Sequence, residues 1–63
     1  MTIQDTKAFG KLEPFQQGLI NKRINRLQIE DAIVTARNIG YYNWEKITGL
    51  PEHWKAIVKE IVE

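Results

Sequence analysis

The basic side chains of the segment NKRINR are the residues whose type and spacing best fit a chemical role. Lys22, Arg23 and Arg26 fall close together, and Arg37 joins them if two helices are suitably arranged. Asparagines alternate with these cations, and arginine and asparagine are side chains that hydrogen-bond the edges of bases. The cluster predicts, as an alternative function, a nucleic-acid-binding regulator of the helix-turn-helix type.

The rest of a helix-turn-helix pattern fits this sequence less well. Ala36 and Gly40 have the spacing of a first helix and its turn. Lys46 and Gly49, however, stand where buried apolar residues are needed, and Pro51 starts a new helix too soon. The net charge of +1 is also too small to demand a polyanionic partner. A solvated polar face is therefore favoured over a nucleic-acid site, which stays possible.

The aromatic run YYNW indicates contact with another protein. Tyrosine and tryptophan are enriched among the residues that dominate binding energy at interfaces. Filling the core is the favoured role of these aromatics, since so short a chain needs Trp44 and one tyrosine for its core. The remaining tyrosine is the candidate partner-binding residue, and the sequence leaves open whether it is Tyr41 or Tyr42. Ile20 and Val34 lie at the edges of their apolar stripes and add surplus apolar surface. We expect an unidentified protein partner, with a homodimer also possible.

Catalytic and metal-binding sets are missing from the sequence. Serine and cysteine are absent and His53 is the single histidine, so neither a paired nucleophile and base nor a Cys/His ligand set can be assembled. Glu52 and Glu60 lie two helical turns apart and are interpreted as exposed charges. No phosphate-binding glycine loop is present. We predict a non-enzymatic protein without a cofactor or metal ion.

Apolar periodicity predicts an all-α fold, a small three-helix bundle with one additional helical turn. Apolar residues recur at helical spacing from Pro14 to Ile39, and a break within residues 25–28 is favoured over one continuous helix. Gly40 is well placed to end the second helix in a left-handed conformation. The predicted helices span residues 14–25, 28–39 and 51–62, with a short helical turn near residues 43–47.

Residues 1–12 show no sustained period and predict a flexible N-terminal arm, with a single helical domain over residues 13–63. The arm is either loose or laid across the domain, and Phe9 and Leu12 are available as anchors. The predicted core consists of Phe15, Leu19, Ile24, Ile33, Trp44, Trp54, Ile57, Val58 and Ile61.

The phrase TGLPEHW, residues 48–54, resembles a short piece of the GTPase-binding CRIB region of PAK-type kinases. In that family a similar Gly-Leu-Pro-Glu-x-Trp run precedes an autoinhibitory helix. The Ile-Ser-x-Pro start and spaced histidines through which the family contacts its GTPase are absent upstream. A glycine turn, a proline at the first helical position and an aromatic core residue also describe an ordinary helix start, and that is the prediction.

Length and composition define a broad class. The chain has 63 residues, of which 43% are hydrophobic, and a chain this short buries only about 60% of its unfolded surface. It has no cysteine, no apolar run long enough to span a membrane and no signal-peptide pattern at its N-terminus. We therefore expect a cytoplasmic, non-membrane protein of the small adaptor or inhibitor type that bacteria and phages use, docking a helical face on its partner.

Overall fold

The computed structural model describes residues 2–63, and within that range all regular secondary structure is helical. The all-α class is confirmed. The number and bounds of the helices differ from the predicted three-helix bundle. A 3-10 helix, Ile3–Asp5, is followed by α1 (Lys7–Gly10), α2 (Pro14–Ile20), α3 (Arg23–Ile39), α4 (Tyr41–Ile47) and α5 (Glu52–Val62).

The break between α2 and α3 lies nearer the N-terminus than predicted, at residues 21–22 instead of residues 25–28. The last carbonyls of a helix lack partners within it, and here the Leu19 carbonyl accepts hydrogen bonds from two sources. The Asn25 side-chain Nδ2 donates to it at 2.8 Å, and the Lys22 backbone N–H donates at 3.2 Å. Asn25 therefore satisfies the end of α2 from a position inside α3.

A single glycine separates α3 from α4. Gly40 has φ 91° and ψ 144°, a backbone conformation that residues other than glycine rarely adopt. The Asn43 side chain donates to the Ile39 carbonyl at 2.7 Å, so it too serves the end of the preceding helix. The predicted turn near residues 43–47 is a helix of two turns that begins directly after Gly40.

Helix α5 begins one residue later than predicted. Pro51 precedes the helix instead of occupying its first position, and its carbonyl accepts the N–H groups of Trp54 and Lys55, both at 3.0 Å. The aromatic side chain of Trp54 is buried in the core. The interpretation of TGLPEHW as a helix start is therefore confirmed.

The N-terminal segment is packed on the domain: of the two arrangements predicted for the arm, loose or laid across the domain, residues 2–12 show the second. Ile3, Thr6 and Phe9 are buried, so the prediction that Phe9 anchors this segment is confirmed. The Thr6 hydroxyl donates to the Ile3 carbonyl at 2.7 Å and accepts the Phe9 N–H at 3.1 Å. Apolar burial thus holds this segment against α5, and the Thr6 cap stabilises the start of α1 within it. The domain boundary after residue 12 stays a prediction.

The core lies mainly between α5, α3 and α4, with the N-terminal segment over one side. Five members of the predicted core are buried, namely Ile33, Trp44, Trp54, Ile57 and Val58. Leu19 and Ile61 are half-buried. Phe15 and Ile24 are exposed, so their assignment to the core was wrong. Ile24 lies nine residues before Ile33 on the same helix, a rotation of about 180°, so the two cannot both face the core. In α2 the buried residue is Ile20, and Phe15 is on another side of that helix.

Candidate interaction surface

Helix α3 presents apolar side chains on two opposite sides. Its inner side holds four core residues, Ile29, Ala32, Ile33 and Ala36. Its outer side carries Ile24, Leu27 and Val34, which are 73%, 55% and 57% exposed. Successive helical residues are rotated by about 100°, so the two groups lie almost diametrically opposed. We call Ile24, Leu27 and Val34 the α3 stripe.

The α3 stripe is extended and is interrupted by one charge. From Ile24 to Val34 it covers about 15 Å along the helix axis, at a rise of about 1.5 Å per residue. Asp31 is exposed on the same side, between Leu27 and Val34. The N-terminal half of the α3 stripe is therefore wholly aliphatic. In its C-terminal half, Asp31 lies beside Val34. Of the two residues predicted to add apolar surface, Val34 is exposed, whereas Ile20 is fully buried.

Charged residues of alternating sign follow one edge of the stripe. Arg23, Glu30 and Arg37 are spaced by seven residues, so they lie nearly in line along the helix, and all three are exposed. The opposite edge carries the uncharged Gln28 and Thr35. Within residues 2–63 the ion pair that forms is Lys55 with Glu52, at 3.1 Å. The three edge charges therefore face solvent without an intramolecular counter-ion.

The structure divides the predicted nucleic-acid-binding set. Lys22, Arg23 and Arg26 stay together at the N-terminal end of α3, where Arg26 also donates to the Gln4 side chain at 2.8 Å. Arg37 lies 14 positions after Arg23 on the same helix, about 21 Å away along the axis. The first turn of α3 has no acidic residue and no side-chain cap, so its positive dipole end adds to the charge of the three cations.

The two predicted partner-binding tyrosines have different environments. Tyr41 is buried and its hydroxyl donates to Glu45 Oε2 at 3.3 Å; burial, and secondly the charge of Glu45, raise the pKa of Tyr41. Tyr42 is exposed, and its ring meets that of Tyr41 edge to face, 5.5 Å between centroids. The Lys59 ammonium lies 5.8 Å from the centroid of Tyr41 and 5.9 Å from that of Tyr42. Tyr42 can therefore reach a partner directly, whereas Tyr41 serves the core.

A cleft of about 470 Å³ lies between α1 and α5. Two of its polar side chains have partners within the fold. The Glu60 carboxylate accepts the N–H groups of Ala8 at 3.0 Å and Lys7 at 2.9 Å, and these bonds lower the pKa of Glu60. His53 Nε2 lies 3.0 Å from the Gln16 side-chain oxygen. These contacts join the N-terminal half of the chain to α5. Glu60 and His53 thus have structural roles that account for their positions.

Comparison with known proteins adds no relative, since no family model, curated protein or solved structure matches this chain. Among residues 2–63, no group of three or more His, Cys, Asp or Glu side chains is arranged to hold a metal ion. None of the helices in the same range is both long and apolar enough to cross a membrane.

The α3 stripe was missed at the sequence level because Ile24 was assigned to the core. A usable signal was present: residues 24, 27 and 34 repeat at spacings of three and seven, while residues 29, 32, 33 and 36 form a separate helical set. One helix cannot direct both sets toward the same core. Two apolar sets on opposite sides of one helix thus predict that one set lies outside this core, as Ile24, Leu27 and Val34 do.

Proposed function

We propose that this chain is a small non-enzymatic interaction protein that docks the α3 stripe on a partner protein. It would work as an adaptor or inhibitor of the kind found in bacteria and phages, and it would act in the cytoplasm. The observation that carries the proposal is the exposure of three large aliphatic side chains on the outer side of the longest helix. Complete burial of such a side chain contributes about 1.5–3 kcal/mol.

The packing of α3 behind the α3 stripe supports this role. The inner side of α3 packs on α4 and α5, so the outer side is presented by a helix that is already folded. A preformed helical face avoids most of the ordering cost that a flexible segment meets on binding. Helices that bind in grooves or pair with other helices use apolar anchors at this kind of spacing. Arg23, Glu30 and Arg37 would then set the orientation of the partner.

A capture experiment with matched variants tests the proposal. Tagged wild-type protein is used to capture partners from cells of the source organism, alongside Leu27→Lys and Ile47→Lys. Ile47 is also aliphatic and is 72% exposed, but it lies on α4, away from the stripe. We expect the partner to be lost with Leu27→Lys and retained with Ile47→Lys. Retention of the same partner by Leu27→Lys, with circular dichroism showing a folded variant, would overturn the proposal.

A second candidate, nucleic-acid binding, is favoured by the basic N-terminal end of α3. Three cations and an uncapped helix N-terminus together attract phosphate groups. Titration with duplex DNA at low and moderate salt separates the two functions, because phosphate contacts weaken steeply as salt increases. Salt-dependent binding that Arg23→Ala/Arg26→Ala abolishes would support this candidate. No binding at low salt would remove it.

A further inference from the structure

We propose that the α3 stripe binds the α3 stripe of a second copy of this chain, with the two helices antiparallel. This inference rests on the proposed function, since it names the partner of the same face. The evidence is the charge pattern along the edge of the stripe. Arg23 and Glu30 are opposite in sign, one heptad apart and both exposed, and neither has an ion-pair partner within residues 2–63.

A two-fold axis that crosses α3 near Arg26 makes the two copies complementary. Ile24 of each copy then lies against Leu27 of the other, so four aliphatic side chains form the centre of the contact. On the charged edge, Arg23 of each copy lies opposite Glu30 of the other, which creates two equivalent ion pairs.

Other arrangements of the same two faces are worse. An axis near Glu30 brings the two Glu30 carboxylates together and sets Arg23 against Arg37. A two-fold axis farther along α3, between Ile33 and Val34, pairs Glu30 with Arg37. It also places Asp31 and Asn38 in the centre of the contact between the two helices. Like charges opposite each other destabilise a helix pair, and polar residues on the seam weaken it.

A parallel pair is unfavourable for the same physical reasons. It would set Asp31 against Asp31 on the seam. Its edges would bring Arg23 to Gln28 and Glu30 to Thr35, so no ion pair would form. Of the arrangements compared, the edge charges therefore favour the antiparallel orientation and the register near Arg26.

The contact is short, and this determines its strength. It covers little more than two turns of each helix, so its buried area falls in the class below about 1,200 Å², where complexes are weak and transient. The two ion pairs are at the rim of the contact and are screened by salt. Self-association should therefore increase at high protein concentration and low ionic strength.

Charge reversal in two variants tests the pairing. Sedimentation equilibrium is run over a wide concentration range on the wild type, on Arg23→Glu, on Glu30→Lys and on an equal mixture of the two variants. We expect the wild type to approach twice the 7.4 kDa chain mass and each variant alone to associate about tenfold more weakly, because each faces like charges across the two-fold axis. The mixture should recover, because the glutamate introduced in one variant then faces the lysine introduced in the other.

The control is Lys46→Glu, a charge reversal on the exposed side of α4, which should associate as the wild type does. All the variants change exposed residues, and circular dichroism confirms that each is folded. A wild type that remains at 7.4 kDa throughout would overturn the pairing and leave docking on another protein to the Leu27→Lys capture experiment. A dimer that neither charge reversal weakens would overturn this register.

Discussion

Helices α3 and α5 have similar proportions of apolar residues but bury them to different extents. In α5 none of the large apolar side chains is exposed, because α1, α3 and α4 surround that side of the helix. Trp54, Ile57 and Val58 are buried, and Ile61 and Val62 are half-buried. In α3 one apolar set is buried and the other, the α3 stripe, faces solvent. The difference shows that helical spacing identifies a face, while the neighbouring helices determine whether that face is covered.

The largest expected difference in stability is between two truncations, one of a buried residue of α5 and one of an exposed residue of α3. Trp54→Ala removes a buried aromatic side chain, and such changes cost about 3–5 kcal/mol. In a domain this small the change should abolish the cooperative unfolding transition. Ile24→Ala, on the exposed stripe, should change the free energy of unfolding by less than about 0.5 kcal/mol. Thermal and urea unfolding measure both, and similar losses for the two variants would contradict the comparison.

The next effect concerns the residue that ends α3 and directs the chain into α4. Gly40→Ala places a side chain at φ 91°, which should lower the free energy of unfolding by about 1–3 kcal/mol through backbone strain. The control is Gly18→Ala in α2. A methyl group there meets no atom within 4 Å, and the change should raise the free energy of unfolding by about 0.5–1 kcal/mol. Equal signs for the two variants would contradict the assigned geometry of Gly40.

The smallest expected effect is on the pH dependence of the free energy of unfolding. It is seen by comparing Glu60 on α5 with Glu30 on α3. The Glu60 carboxylate on α5 accepts two N–H groups from α1, and these bonds lower its pKa below the usual value of 4.5. A lowered pKa in the folded state means that this stabilisation is present above pH 4.5 and is lost as the pH falls through the lowered pKa.

Glu60→Gln should therefore flatten the acid limb of the stability profile, measured by urea unfolding across that pH range. Glu30→Gln is the matched control at protein concentrations where the chain is monomeric, because Glu30 is exposed on α3 and makes no side-chain hydrogen bond or ion pair within residues 2–63. It should leave the acid limb close to that of the wild type. An acid limb in Glu60→Gln that is as steep as the wild type's would show that the bonds to Lys7 and Ala8 do not stabilise the fold.

Local sequence features predicted much of the C-terminal half. Pro51 with the apolar spacing after it located α5, and Gly40 located the end of α3, because both act through backbone geometry that neighbouring residues determine. The exposure of one tyrosine and the burial of the other with Trp44 also followed from the small size of the core. These features need no knowledge of distant contacts.

The N-terminal half depended on contacts that no local pattern contains. Asn25 satisfies the carbonyl of Leu19 across the break, and Glu60 holds the backbone of Lys7 and Ala8 from the far end of the chain. The first contact shifts the start of α3, and the second secures a segment whose sequence shows no period. Both are hydrogen bonds between groups whose proximity exists only after the helices have packed.

The sequence by itself determined that this chain is helical and, to within one residue, where its last helix begins. Its spacing also contains the two apolar sides of α3, which became recognisable only with the bounds of that helix. Only the tertiary structure decided which of those sides faces the core. A helical pattern specifies the angles between side chains around one axis, and it carries no information about the direction from which other helices approach. That direction buried Ile29 and Ile33 and left Ile24 and Leu27 in solvent.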